Sequence, residues 1–386
     1  MTHDAIVIGG GPSGTSAAIG LARKGWHVAL VERAEFPRRK VCGEFMSAAN
    51  RPVLEALGVC AEWDAAAGPA IGRVALFMGE RVVTAPMPAT GGSGRGLGRD
   101  VLDPLLLEQA RCCGVEVLQP GRATGFTRKG AGHRVELAMP QGTATLEAPV
   151  LVAAHGSWER GPLPTQAPKL SAPGDLLGFK AHFRGGHLDA DLMPLLSFPG
   201  GYGGMVQVDG GRLSLSCCIR RDVLEDLRRP GDTAGAALQA YLMRSCRGIR
   251  ETLDGAKLSG PWLGAGPIRP DLRPCYADGI FRVGNLAGEA HPVIAEGISM
   301  AIQSGWLLSR AFEECDSVDR KARDRAGARY QAMWRRQFST RIRAANAFAN
   351  LAMRPERFAG LGRLISTVPA TLTLGAWLSG KVKPVR

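Results

Sequence analysis

Aromatic residues make up only 6% of this 386-residue chain, and four of them are tyrosines. So few rings, with no recognisable nucleic-acid module, argue against a nucleic-acid partner even though the net charge is +13. The nine cysteines contain no C-x-x-C. The adjacent pairs Cys112-Cys113 and Cys217-Cys218 fit neither a disulfide framework nor a zinc site. A reducing compartment, mostly buried thiols and no metal are expected. No apolar run reaches the roughly 20 residues of a membrane span, and the opening apolar stretch lacks a basic leader. The expectation is therefore a cytoplasmic protein, peripheral to a membrane at most. No nucleophile elbow and no Ser-His-Asp arrangement is visible. Acids are scarce in one region above all. Residues 320–386 hold 15 Lys and Arg against Asp324 and Glu356 alone, so the entire net charge lies there. That segment reads either as a solvated face of helices packed on the core or as a docking surface. An anionic membrane or an acyl carrier protein would be the partner of such a surface.

What is present is informative from the first residues. Asp4 to Ile8 reads as an apolar strand, followed at once by Gly9-Gly10-Gly11-Pro12-Ser13-Gly14. Ala17, Ala18, Leu21 and Ala22 sit at helical spacing, and Val28 to Val31 is a second strand ending in Glu32. This is the G-x-G-x-x-G fingerprint in its β-turn-α-β context. Gly9 allows the tight turn, Gly11 lets the backbone approach a pyrophosphate, and Gly14 lets helix and strand pack closely. The free N–H groups of the helix that starts at Pro12, from Ser13 onward, suit that pyrophosphate. Glu32 is placed to accept from a ribose diol, with Arg33 beside it. At 45% hydrophobic and 22% charged residues, the chain is expected to form a globular α/β protein of more than one domain.

A second signature lies at Gly284-Asn285-Leu286-Ala287-Gly288-Glu289-Ala290-His291-Pro292-Val293-Ile294-Ala295-Glu296-Gly297-Ile298. Together with the fingerprint it resembles the flavin motifs of the p-hydroxybenzoate hydroxylase and geranylgeranyl reductase superfamily. Arg99, followed by Leu102 and Asp103, resembles the arginine-bearing helix start of that family. Arg39 to Glu44 resembles the segment that passes the flavin ring and reads K-x-C-G in the reductases. The resemblance implies FAD as the held cofactor, with NAD(P)H as a candidate electron donor. It places Arg39, Cys42, Gly43, Arg99, Gly284, Asn285, Gly288, Pro292, Gly297 and Ile298 at the flavin. It also implies a fold. An FAD-binding Rossmann-like domain of glutathione-reductase type (1–72, 95–174 and 270–318) would carry an inserted antiparallel β-sheet substrate domain (73–94 and 175–269). A basic helical segment (319–386) would follow. Three departures stand out. Asn285 occupies a position that is usually Asp, His155-Gly156 stands where the family has Asp-Gly, and the Tyr-x-Trp-x-Phe-Pro strand of the reductases is absent.

Candidate catalytic residues follow from their place beside the expected flavin. Cys42 is a proton donor or a small buried thiol. His291 is a base or substrate contact, or a structural histidine at a turn. Glu296 is an acid near the ring, or it fills the first turn of a helix where negative charge is favoured. The expected activity is FAD-dependent oxidation, foremost a monooxygenase acting on an apolar, phenolic or polyketide-like molecule. The alternatives are reduction of an isoprenoid double bond and a non-catalytic flavin-binding or carrier-docking role. The uncharged stretch Leu364 to Gly380 reads as a lid, a shallow membrane contact or a docked helix.

Overall fold

The computed structural model describes residues 3–88, 92–158, 160–166, 170–313, 315, 318–353, 367–368, 370–378 and 385, the side chains at 348 and 350–352 excepted. Two sheets organise it. The opening unit is β1 (Ala5–Ile8), α1 (Pro12–Ala22) and β2 (Val28–Val31). All eight residues of the two strands are buried, as a parallel sheet covered on both faces requires. Next come β3 (Arg73–Met78), β4 (Arg81–Pro86), α2 (Arg99–Cys112), β5 (Glu116–Leu118) and β6 (Val150–Ala153). A three-stranded antiparallel excursion over 122–148 precedes β6. The strands β7 (Leu176–Arg184), β8 (Leu192–Phe198), β9 (Gly201–Gln207) and β10 (Leu213–Arg220) are consecutive. The chain returns through β11 (Ile280–Arg282) and α3 (Gly297–Ala311) to α4 (Arg320–Ala352) and α5 (Ala370–Leu378).

The first sheet runs β11-β6-β1-β2-β5 in parallel, with Ile6 opposite both Leu151 and Ala29. The short strand Tyr276–Ala277 adds an antiparallel edge. The carboxyl ends of β1, β2, β6 and β11 all open on one crevice, where open α/β sheets bind ligands. Helices α1 and α3 cross closely beneath it. Ser16 Oγ donates to Ile302 O at 2.8 Å, and a Cβ on Gly305 would stand 2.3 Å from Ser13 O.

The second sheet has eight strands. Its centre runs β7-β10-β9-β8 antiparallel, and β8 then pairs with β3 in parallel, Leu195 opposite Leu76. Strands from before and after the 99–153 stretch thus share one sheet. Phe183, Leu196, Phe198, Leu215 and Ile219 bury one face under the helices that follow β10. The other face looks toward the crevice.

Helix α4 docks along the first domain. Ala322, Ala326, Tyr330, Trp334, Phe338, Ile342, Ala345 and Ala349 are buried, recurring at intervals of four and three. The charge on this helix is divided. Arg320, Lys321, Arg325, Arg335, Arg336 and Arg343 are exposed, whereas Arg323 and Arg341 are buried. Arg323 donates to the carbonyls of Pro149 and Ala131. A 3-10 turn (Ala48–Asn50) leads into a short helix over Arg51–Leu57, with Pro52 in its first turn. Glu314 and parts of the 364–380 stretch lie outside the described residues.

Candidate active site

The phosphate end of the crevice is shaped by what glycine permits. Gly9 has φ +114°, and a Cβ there would lie 2.6 Å from Ala154 O. At Gly14 a Cβ would stand 1.9 Å from Gly9 O, so any larger residue forces α1 away from β1. Gly14 does not itself line the cleft; it sets the packing behind it. Gly11 does line it, and its nearest neighbour on that side is Arg99 Nη2 at 3.6 Å from an ideal Cβ. Pro12 occupies the first turn of α1, and no side chain caps that end, which leaves its N–H groups for an anion. Glu32 is 3% exposed at the cleft wall. It accepts from Gly10 N at 2.8 Å and Ala34 N at 2.9 Å, and Arg38 lies 3.3 Å away. A carboxylate offers about four acceptor positions, so capacity remains for a ribose diol. Arg33 lines the same end.

The opposite end is built by the return from β11. Gly284 (φ +61°) would press a Cβ to 2.7 Å from Ser13 Oγ, and a Cβ on Gly288 would clash with the ring of Trp334. Asn285 Nδ2 donates to Glu289 Oε1 at 3.4 Å. Glu289, 2% exposed, also accepts from Trp158 Nε1 at 2.6 Å, Ser157 Oγ at 3.0 Å and Arg273 Nη2 at 3.3 Å. An aspartate at 285 would set a second carboxylate against Glu289, which accounts physically for the amide there. His155 turns aside to Thr165 Oγ1 at 2.7 Å. Pro292, Ala295, Gly297 and Ile298 line the cleft before α3, whose N-terminus has no side-chain cap. Its free N–H groups and partial positive charge suit the anionic edge of a reduced flavin.

The third wall brings in the 38–44 segment. Cys42, Gly43 and Glu44 line the cleft. Arg99 forms a two-pronged pair with Asp103 (2.6 and 2.7 Å). Burial opposes the Arg99 charge, but Asp103 and neighbouring Cys42 reinforce it, so the pKa is raised overall. Glu44 is fully buried with φ +56°. Its carboxylate meets Lys180 Nζ, His182 Nε2 at 2.6 Å and Arg99 N at 2.9 Å. Burial alone would raise the Glu44 pKa; the His182 hydrogen bond and the Lys180 charge overcome it and hold it at about 2. Lys180 and His182 lie two apart on one face of β7, so the pair ties the flavin-facing segment to the second sheet.

Deeper in the cleft, Tyr202 Oη bonds His291 Nδ1 at 2.7 Å, both residues buried. Burial lowers the His291 pKa to about 4 and raises that of Tyr202 well above 10, so the pair is neutral. The sheet wall around it is apolar, with Phe179, Met193, Leu195, Met205 and Val206. Two residues expected here lie elsewhere. Arg39 donates to Ser259 O at 3.1 Å and is not among the lining residues. Glu296 is fully buried, accepts from Ser47 Oγ at 3.1 Å and faces the charge of Arg341. Arg38, Trp158, Glu289, Tyr202, Lys180 and His182 escaped the sequence reading. The first lies next to a quoted motif; Lys180 and His182 at period two in an apolar strand were the visible signal for the last pair.

A family model described as FAD binding domain matches residues 2–171. Digeranylgeranylglycerophospholipid reductase 2 of Methanopyrus kandleri is 27% identical, over 89% of this chain and 85% of the relative. Menaquinone reductase of Mycobacterium tuberculosis is 25% identical over 81% and 77%. Among solved structures, the myxobacterial chondrochloren halogenase CndH aligns at TM-score 0.78 with 21% identity, covering 99% of this chain and 96% of that one. PqsL of Pseudomonas aeruginosa, described as a probable FAD-dependent monooxygenase, aligns at TM-score 0.71 with 21% identity, covering 94% and 99%. Fold and cradle together define an FAD-dependent oxidoreductase. The chain carries an FAD binding domain over residues 2–171 and is similar to these two reductases over most of its length.

Proposed function

We propose that this protein is an FAD-dependent monooxygenase that hydroxylates or epoxidises an apolar, phenolic or polyketide-like small molecule. One observation carries the reading. The flavin cradle opens without a break onto an apolar sheet wall whose hydrogen-bonding end is the neutral Tyr202–His291 pair. Such a cleft suits a greasy substrate with one hydroxyl. FAD bound along the cleft from Glu32 to Gly297 would supply the redox chemistry, with NAD(P)H the candidate donor. The protein residues do the rest. Tyr202 Oη and His291 Nδ1 share one hydrogen bond, whose direction follows the imidazole tautomer. The neutral pair can hydrogen-bond a substrate hydroxyl and hold it in place. The apolar lining excludes water, which protects a reactive intermediate from hydrolysis.

A second reading is reduction of a carbon–carbon double bond. It is favoured by the relatives matched over most of their length, which are reductases by name; here the Tyr202 hydroxyl would protonate carbon. The two separate cleanly. The FAD-loaded protein is mixed with alkylphenols and with polyprenyl quinones under isotopically labelled dioxygen. Label in the product, with oxygen uptake matching substrate consumed, is expected. Saturated product formed equally well without oxygen overturns the monooxygenase in favour of the reductase. Absence of turnover with every acceptor and donor overturns both.

A further inference from the structure

The exposed large apolar side chains of this protein are not scattered. Six are found among the described residues, and three of them, Val368 (44%), Leu374 (55%) and Trp377 (52%), belong to α5 and its lead-in. A fourth, Val82 (42%), lies on β4, against which α5 packs. Within α5 the two faces differ. Leu372 and Ala376, four apart, are buried; Leu374, Trp377 and Gly375 look outward. Thr373 Oγ1 holds the helix to Pro86 O at 2.7 Å. A helix that buries two side chains and presents a tryptophan and a leucine to water has an apolar face without a partner among the described residues.

The sequence on either side of that face is basic. Arg363 precedes the uncharged stretch and Lys381 and Lys383 follow it, in a segment with 15 basic residues and two acids. Tryptophan with flanking cations is the composition that settles at the level of lipid headgroups, the ring in the acyl boundary and the charges on anionic phosphates.

Beneath α5 lies the substrate end of the cleft. Leu372 shares one apolar cluster with Phe45, Met193 and Val206, and all three of those residues line the cleft. The helix thus stands between its own exposed face and the apolar wall of the active site. We propose that α5 docks this protein on an anionic membrane surface, Leu374 and Trp377 inserting at the headgroup boundary, so that an apolar substrate passes between the bilayer and the cleft. The occupant is the lipid surface, chosen because its negative charge complements the cations that flank the helix. The proposal stands apart from the choice between oxygenation and reduction.

The test uses the full-length FAD-loaded protein and flotation with phosphatidylcholine vesicles, with and without phosphatidylglycerol. Binding to the anionic vesicles alone, reversed by salt, is expected. Leu374→Ser together with Trp377→Ser should weaken it by roughly tenfold or more, with flavin content and turnover of a water-soluble substrate unchanged. Lys381→Glu with Lys383→Glu should also weaken it. Equal flotation of the Leu374/Trp377 variant and the wild type would overturn the insertion of α5. So would absence of flotation combined with a dimer that the same variant turns into a monomer, because the face would then belong to a second copy.

Discussion

Glu44 shows how one residue can serve two sheets. It sits in a left-handed conformation that is uncommon without glycine, yet its carboxylate reaches Lys180, His182 and the amide of Arg99. The strained backbone and the buried charge are both tolerated because these partners over-determine the position. Its pKa is held at about 2 against an ordinary 4.5. The folded value is depressed, so the stabilisation is complete above about pH 4.5 and is lost as pH falls toward 2. Glu44→Gln leaves Lys180 without its countercharge in a dry site. It should cost about 3–5 kcal/mol at pH 7, and the difference from wild type should shrink as the pH of a urea titration is lowered through this window. A constant difference from pH 7 to pH 3 would mean that the carboxylate is not the stabilising group. Asn285 and Glu289 make a similar point: an amide at one position is explained by a carboxylate four residues on, buried among Ser157, Trp158 and Arg273.

At the scale of elements, α4 is more than a basic tail. Its buried stripe is continuous, and Trp334 (1% exposed) lies against Gly288 and reaches the cleft lining. Its indole Nε1 donates to Ser304 Oγ at 3.2 Å, and that hydroxyl in turn meets Gly284 N at 3.0 Å. The helix therefore props the turn from which Gly284 and Asn285 enter the site. Trp334→Ala should destabilise by about 3–5 kcal/mol and loosen flavin; Trp334→Phe should recover most of the stability. Chemical denaturation followed by flavin absorbance checks both, and an alanine variant as stable and as yellow as wild type would remove this role. The basic charge itself splits at this scale. Arg323 and Arg341 serve the interior, and Arg320, Arg325, Arg335, Arg336 and Arg343 stand at the surface.

For the whole molecule, the cofactor is expected to act as a structural ligand of both sheets. Anything that binds only the folded state stabilises it by RT ln(1 + [L]/Kd), about 2.7 kcal/mol at a hundred times Kd. Excess FAD should therefore raise the unfolding temperature of wild type. It should leave Gly11→Glu unmoved, because that side chain would enter the space kept for the pyrophosphate. An equal upward shift in the variant would displace the phosphate from the fingerprint. Much of this was legible beforehand because it rests on short-range constraints. Gly9, Gly11, Gly14 and Glu32 lie within one βαβ unit, where local spacing determines geometry. The return at Gly284 to Ile298 was readable from its resemblance to a family motif. Side-chain direction was not. Arg39 and Glu296 sit next to lining residues and bond elsewhere, because which way a loop side chain turns depends on what packs beside it. The Tyr202–His291 pair spans 89 positions and the Lys180–Glu44 pair 136, and no local pattern encodes such separations. By itself, then, the sequence determined the βαβ phosphate cradle, through glycine sterics and apolar periodicity, while its resemblance to the flavin motifs implied FAD. Only the tertiary structure decided which polar groups meet in the cleft and which helix covers its apolar end, since both depend on sheets joining strands that are remote along the chain.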